Sequence, residues 1–251
     1  MIVNNELEKY TFAIIANLTH QAINPLNGVI GTLENIIEGV TNKDKQEQRL
    51  ISAKSQLIYT VSLIRNLAFF AEYGLDNNEK ITRKNNNNIS IIPQTLIEAV
   101  QFFQEQAKNK GVKLNIENRM VANAVYGSPD LLRQVFMNIF DNYVKYSDND
   151  ERVTVTHHIQ KRTNDVLIQF EGRSVVGFDD SENIFNFGTR GRLAVQKTSS
   201  GSGLGLHICR IILEKVFNGT ISGNFNSQKK LVTFLIRIPN GFLKEDHYSK
   251  N

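Results

Sequence analysis

Gln134-Val135-Phe136-Met137-Asn138-Ile139-Phe140-Asp141-Asn142-Tyr143-Val144-Lys145-Tyr146-Ser147 is the stretch on which the reading of the fold turns. Preceded by Gly127-Ser128-Pro129-Asp130, it predicts a helix over Pro129 to Tyr146. Asn138 and Asn142 are four apart and so share one helix face, where carboxamide oxygens can meet a hydrated divalent cation and the NH₂ groups can meet phosphate. Lys145 lies three beyond on the same side and can add positive charge. Two asparagines on an amphipathic helix are, taken alone, ordinary solvated surface, so their meaning depends on what surrounds them.

Downstream, Gly201-Ser202-Gly203-Leu204-Gly205-Leu206 opens a helix expected from about Leu204 to Phe217. Glycines there let backbone N–H groups approach a phosphate closely, and the helix N-terminus adds a partial positive charge. No strand immediately precedes it, so it is not the dinucleotide-binding fingerprint. Periodicity predicts a helix around Pro93 to Lys108, and strands at Val112 to Glu117, Arg152 to Ile159, Val166 to Glu171, Thr220 to Phe225 and Leu231 to Ile238. That order implies an α+β domain over residues 90–240, with helices on one face of a mixed sheet. The polar stretch Gly188 to Ser200, with Arg190, Arg192 and Lys197, reads as a mobile lid. Residues 241–251 read as a loose polar tail.

Upstream the pattern is purely helical. Residues Glu6 to Ile37 and Lys43 to Tyr73 read as two long helices joined by a turn near Gly39, Thr41 and Asn42. Phe12, Ala16, Thr19, Ile23, Leu26, Ile30, Leu33 and Ile37 form a heptad seam, and Leu50, Leu57, Val61, Ile64, Leu67, Ala68 and Ala71 a second stripe. Two such helices bury two seams poorly alone, so residues 1–75 are expected to form a hairpin that dimerises into a four-helix bundle. An asparagine-rich stretch over residues 76–89 reads as a linker. His20 falls beside the seam, leaving its imidazole near the surface as a plausible nucleophile at neutral pH. Pro25 removes a backbone hydrogen bond and should kink the helix there.

Taken in order, these motifs resemble the transmitter core of histidine kinases, over roughly Leu7 to Pro239. His20 followed by Asn24, Pro25 and Leu26, with Asn27-Gly28 beyond, resembles the H-box. The 134–147 stretch resembles the N-box, Ile184-Phe185-Asn186-Phe187-Gly188 the F-box, and Gly201 to Leu206 the G2 box. The resemblance implies a dimeric phospho-accepting hairpin followed by an α/β sandwich of the Bergerat, or GHKL, type that binds ATP and Mg²⁺. It implies that His20 attacks the γ-phosphate and that the phosphoryl group passes to an aspartate on a response regulator receiver domain. Asn138, Asn142, Lys145, Glu171, Gly201, Gly203, Leu204, Gly205 and Leu206 would hold the nucleotide, with Asn142 the magnesium ligand. Asn24 stands where the family uses Thr or Asn to orient a hydrolytic water.

Two departures stand out. The acid that usually follows the phospho-accepting histidine is Gln21, which can orient a ring but cannot act as a base at neutral pH. The family's Asp-x-Gly-x-Gly, whose aspartate binds the adenine amino group, is altered, with Glu171 keeping an acceptor on a side chain one methylene longer. Family spacing from Phe185 lands on Glu171, with Arg173 and Val175 where glycines are expected.

Composition narrows the alternatives. The net charge is +4, but the 29 basic residues are scattered, which argues against nucleic acid as a partner. Cys209 is a lone cysteine in an apolar stretch, which fits a reducing compartment. No window reaches 18 continuous apolar residues and no signal peptide is visible, so a cytoplasmic chain without membrane insertion is expected. His157 and His158 are strand neighbours and face opposite sides, a poor metal pair. Few residues precede the first helix, so input is expected from a separate sensor protein. Three roles stay open: a working histidine kinase, a degenerate kinase serving as a dimeric adaptor or phosphotransfer scaffold, and a response-regulator phosphatase.

Overall fold

The computed structural model describes residue 19 and residues 22–73, 88–178, 184–186, 189 and 203–244. Two compact units divide the chain at Asn77/Asn78.

In the first unit, α1 (22–37) ends where Gly39 takes a left-handed φ of 71°, a conformation open to glycine at little cost. The turn is closed by hydrogen bonds from Gly39 N–H to Ile36 O and Thr41 N–H to Asn35 O, and by Arg49 donating to the buried Thr41 hydroxyl. α2 (Lys43–Tyr73) then returns. The helices meet through small residues: Ala22, Val29 and Ala53 are buried, and a Cβ on Gly28 would sit 2.6 Å from Gln56 Oε1. The seam residues Ile23, Ile30, Leu33 and Ile37 stay exposed, Ile37 by 82%, as do Leu50, Leu57, Val61 and Ile64. The hairpin therefore closes on its alanines and leaves its heptad stripe uncovered.

The second unit builds on α5 (Pro129–Tyr146), whose residues from Gln134 to Phe140 are all buried. Ser128 caps its start, its hydroxyl accepting from Leu131 N–H, and Pro129 sits at the first helical position, where its missing N–H costs nothing. Before it come β1 (Ile89–Ile91), α3 (Ile92–Gln101), α4 (Gln104–Asn109), β2 (Lys113–Ile116) and β3 (Asn123–Tyr126). After it come β4 (Arg152–Gln160), β5 (Asp165–Arg173), α6 (Gly205–Phe217), β6 (Thr220–Asn226), β7 (Leu231–Ile238) and β8 (Phe242–Leu243).

Five strands form one mixed sheet in the order β2-β4-β5-β7-β6, parallel between β2 and β4 and antiparallel elsewhere. Val153, Val155, Val166, Ile168, Phe170, Val232, Phe234 and Ile236 alternate onto one buried face. There Phe170 meets Phe136 and Phe140 of α5 at ring separations of 5.8 and 5.4 Å. The observed architecture is the α/β sandwich that the strand and helix order predicts.

Three expectations need correction. The helix expected from Pro93 to Lys108 breaks at Phe102 and Phe103, whose N–H groups bond three residues back to Ala99 O and Val100 O. The break seats Phe103 in the core at 4% exposure. A small antiparallel sheet, β1-β3-β8, escapes the periodicity because its strands are only 3, 4 and 2 residues long. Its outer strands trim the expected linker and tail: Ile89 pairs with Tyr126, and Phe242 pairs with Ala124 and packs on Tyr126 at 4.8 Å. Among the described residues, no helix is long and apolar enough to cross a membrane.

Phe170 is the hinge of this packing. Phe170→Ala should lower the stability of the second unit by about 3–5 kcal/mol, read as a shift of its denaturant unfolding midpoint.

Candidate functional site

α5 carries the polar face that the sequence singles out, but its two asparagines do different work. Asn138 is 4% exposed and engaged at both ends of its carboxamide. Its Oδ1 accepts from Gln134 Nε2 at 3.1 Å, and its Nδ2 donates to Gly205 O at 3.1 Å. It ties α5 to the first residue of α6. Asn142, one turn on and half-buried, donates through Nδ2 to Asn138 O at 2.9 Å, leaving its carboxamide oxygen without a hydrogen bond to another described residue. Lys145 pairs with Asp141 at 2.5 Å, four residues back along the same helix. The end of α5 is held from outside by Lys110, whose ammonium donates to the carbonyls of Val144, Lys145 and Ser147. A lysine so placed satisfies terminal carbonyls and complements the negative end of the helix dipole.

The start of α6 lies against this face. Gly203 adopts a φ of 67°, which an L side chain rarely takes, and the buried Leu204 leads into the helix at its N-cap position. Leu206 is half-buried. Ile208, Cys209, Ile212 and Leu213 anchor the helix inward. Cys209 donates to Val135 O, and burial pushes its thiol up to about 12, so it is a packing residue rather than a reactive one. The Ile184 to Asn186 segment is pinned to α6 by two hydrogen bonds: His207 Nδ1–H to Phe185 O at 3.0 Å, and Arg210 to Asn186 Oδ1 at 3.2 Å. Burial lowers the His207 pKa, the Phe185 carbonyl opposes the shift and the Arg210 charge adds to it. The ring is therefore neutral at pH 7 and structural.

The third part of the site is the end of β5. Ile168 and Phe170 point to the helices, so Glu171 takes the opposite side of the sheet, where it accepts from Gln169 at 3.4 Å. The helix-facing position is Gly172, which spacing alone passes over. Above it stands Tyr143: a Cβ on Gly172 would lie 3.1 Å from the Tyr143 ring. Tyr143 is 2% exposed, its hydroxyl is 3.0 Å from both Phe170 O and Val232 O, and its ring stacks edge-on against Phe234 at 5.8 Å. Burial first, and the nearby Glu171 charge second, hold the phenol above its ordinary pKa.

Beyond β5 the chain turns without glycine. Ser174 Oγ donates to Val176 O and receives Val176 N–H, and Val175 N–H bonds to Tyr146 O. Arg173 is exposed and 3.8 Å from Glu151. Residues 173–177 all keep negative φ, which accounts for Arg173 and Val175 standing where glycines are expected.

Of the remaining expected site residues, Asn24 is exposed on α1, while His20, Gln21, Gly201 and the 190–200 stretch lie outside the described residues. Tyr143 and Gly172 were missed by motif matching. The strand alternation through Ile168 and Phe170 was the signal that assigns Gly172 to the helix side.

Residues 127–241 match the family described as histidine kinase-, DNA gyrase B-, and HSP90-like ATPase. Sensor protein KdpD of Clostridium acetobutylicum is 28% identical over 84% of the chain, and sensor protein SrrB of Staphylococcus aureus 24% identical over 95%. The chain spans only 23% and 40% of those relatives' lengths. Acinetobacter baumannii histidine kinase AdeS shares the fold with a TM-score of 0.55 over 88% of this chain and 97% of its own, at 17% identity. Histidine kinase ThkA, solved in complex with response regulator protein TrrA, gives 0.58 over 94% of this chain and 64% of its own, at 15% identity. The matched residues make up less than half of the chain, and the relatives and solved structures it resembles are sensor proteins and histidine kinases.

The buried histidines set a pH limit. His157 is 1% exposed, its Nδ1 accepts from Asn123 at 2.8 Å, and burial, with His158 beside it, lowers its pKa; His207 is lowered as well. Groups depressed in the folded state stabilise it above their unfolded pKa and lose that contribution as pH falls through the folded value. The denaturant midpoint should hold level above pH 7 and decline as pH drops below about 6.5, more shallowly in a His157→Gln variant.

Proposed function

We propose that the chain is the ATP-dependent protein-histidine kinase core of a two-component system, autophosphorylating on His20 and passing the phosphoryl group to a receiver-domain aspartate. The observation that carries this reading is the Asn138 to Gly205 hydrogen bond, which holds the Asn142 face of α5 beside the start of α6. A carboxamide oxygen suited to a divalent cation and a glycine-flanked helix N-terminus suited to phosphate are thereby built one helical turn apart. Mg²⁺ would be held by Asn142 and would neutralise triphosphate charge. Gly201, Gly203, Leu204, Gly205 and Leu206 would line the phosphates. Lys145 serves them only when it leaves Asp141.

In the transfer, the His20 imidazole forms a bond to the γ-phosphorus as the bond to the β,γ-bridging oxygen breaks and ADP departs. Catalysis of this kind rests on positioning and charge neutralisation. Gln21 orients the ring and takes no proton at neutral pH, so the imidazole must react from its neutral form. Residues 1–75 serve as the phospho-accepting hairpin, 76–88 as linker and 89–243 as the nucleotide domain. The uncovered stripe of Ile30, Leu33 and Ile37 supports a homodimer through a four-helix bundle. The ThkA and TrrA complex supports a receiver domain as partner. A separate input protein and a cytoplasmic setting complete the reading.

A second reading, an adaptor or response-regulator phosphatase, is favoured by Gln21 and by the filled space at Tyr143. Asn24, exposed on α1, would then orient a hydrolytic water.

Incubation with γ-labelled ATP and Mg²⁺ should give acid-labile, base-stable label on the native chain and none on His20→Gln. Absence of label on a folded native dimer would move the assignment to the second reading. Replacing Leu33 and Ile37 together by Glu should convert the dimer to monomer in sedimentation analysis, with the circular dichroism of the second unit unchanged.

A further inference from the structure

We propose that Tyr143 and Gly172 together close the base subsite, so that the site reads the triphosphate of a nucleotide and not its base. The inference deepens the kinase reading and rests on it for the location of the phosphate end.

The adenine-binding carboxylate of this class is expected at the end of β5, on the side that faces the asparagine-bearing helix. In this chain the carboxylate nearest that point by spacing, Glu171, belongs to the other side of the sheet, and the helix-facing position is Gly172. The helix-facing positions of β5, Val166, Ile168, Phe170 and Gly172, offer no acceptor side chain to an exocyclic amine. The space that such a side chain and a purine would share is occupied from within. Tyr143 follows Asn142 directly, is 2% exposed, and spans from α5 to the β5–β7 ladder, where its oxygen meets Phe170 O and Val232 O.

The two residues are matched. A side chain at 172 would begin 3.1 Å from the ring, tighter than ordinary van der Waals contact, so the tyrosine and an acid at 172 compete for one volume. The ring is also locked: Phe234 packs on it edge-on, and both backbone carbonyls would lose a partner if it swung out. At the other end, the Asn142 oxygen and the glycine-flanked start of α6 remain, so the polar half of the site persists beside a sealed apolar half.

Binding of Mg·ATP, Mg·GTP and Mg·tripolyphosphate to the full chain, measured by titration calorimetry, tests this. ATP and GTP affinities within about threefold of each other, with tripolyphosphate competing against both, are the expected result. A Tyr143→Ala/Gly172→Asp chain should gain at least about tenfold for ATP and not for GTP, because a carboxylate accepts from the adenine amine and repels the guanine carbonyl oxygen.

A native preference for ATP over GTP above about tenfold overturns the proposal and needs no variant. A folded double variant with no gain for ATP overturns it too. If the native chain binds none of the three while the double variant takes ATP, the plug stands and the kinase reading falls. If neither chain binds any of them, both are lost.

Discussion

Everything in the second unit depends on α5 being buried on two sides at once. Phe136 and Phe140 drive it against Phe170 of the sheet, while Val135 and Asn138 face α6, through Cys209 and Gly205. The apolar side supplies the bulk of the stabilisation and has no directionality. The polar side supplies register: a carboxamide donating to one particular carbonyl is satisfied at one relative position of the two helices, and a slip would leave buried donors and acceptors unpaired. The nucleotide face of α5 is thus a by-product of where Asn138 must sit, and Asn142 is carried into place one turn later.

How much of this was legible follows from what each signal measures. The Pro129 to Tyr146 helix was read to the residue, because Ser128, Pro129 and a long apolar stripe all mark it. The long strands of the main sheet were legible for the same reason, their alternation lasting 7 residues or more in β4 to β7. β1, β3 and β8 were not, for their pairing is set by contacts 33 or more positions away, as between Ile91 and Ala124. The break at Phe102 and Phe103 was invisible for a different reason: neither residue is a helix breaker, and the demand to bury Phe103 overrides propensity.

The site shows the same division. Motif spacing singled out Asn138, Asn142 and the glycine turn; in the structure the Asn138 carboxamide is engaged with Gln134 and Gly205. It assigned Glu171 by counting along the chain, where the sheet assigns by face. A count that is off by one residue is harmless in a loop, but in a strand it moves a side chain through the sheet. Tyr143 escaped notice because an aromatic beside an asparagine on an amphipathic helix reads as ordinary core, which it also is.

That double nature explains how a site of this kind can change without disturbing the fold. A base subsite beside a hydrophobic core is a hole whose walls are already apolar, and filling it with an aromatic ring adds contacts with Phe234 and removes a cavity. The acid that would line such a hole becomes a liability once the hole is filled, since a buried carboxylate without its partner is costly. Glycine at 172 relieves both the charge and the crowding. The pair therefore shifts free energy from ligand to fold, in the direction opposite to the usual arrangement in which function is retained at the expense of stability. The hairpin makes the contrary choice, leaving Ile30, Leu33 and Ile37 in water when a single chain folds. One half of the molecule has filled a space beside its polar site, and the other leaves an apolar stripe uncovered among its described residues.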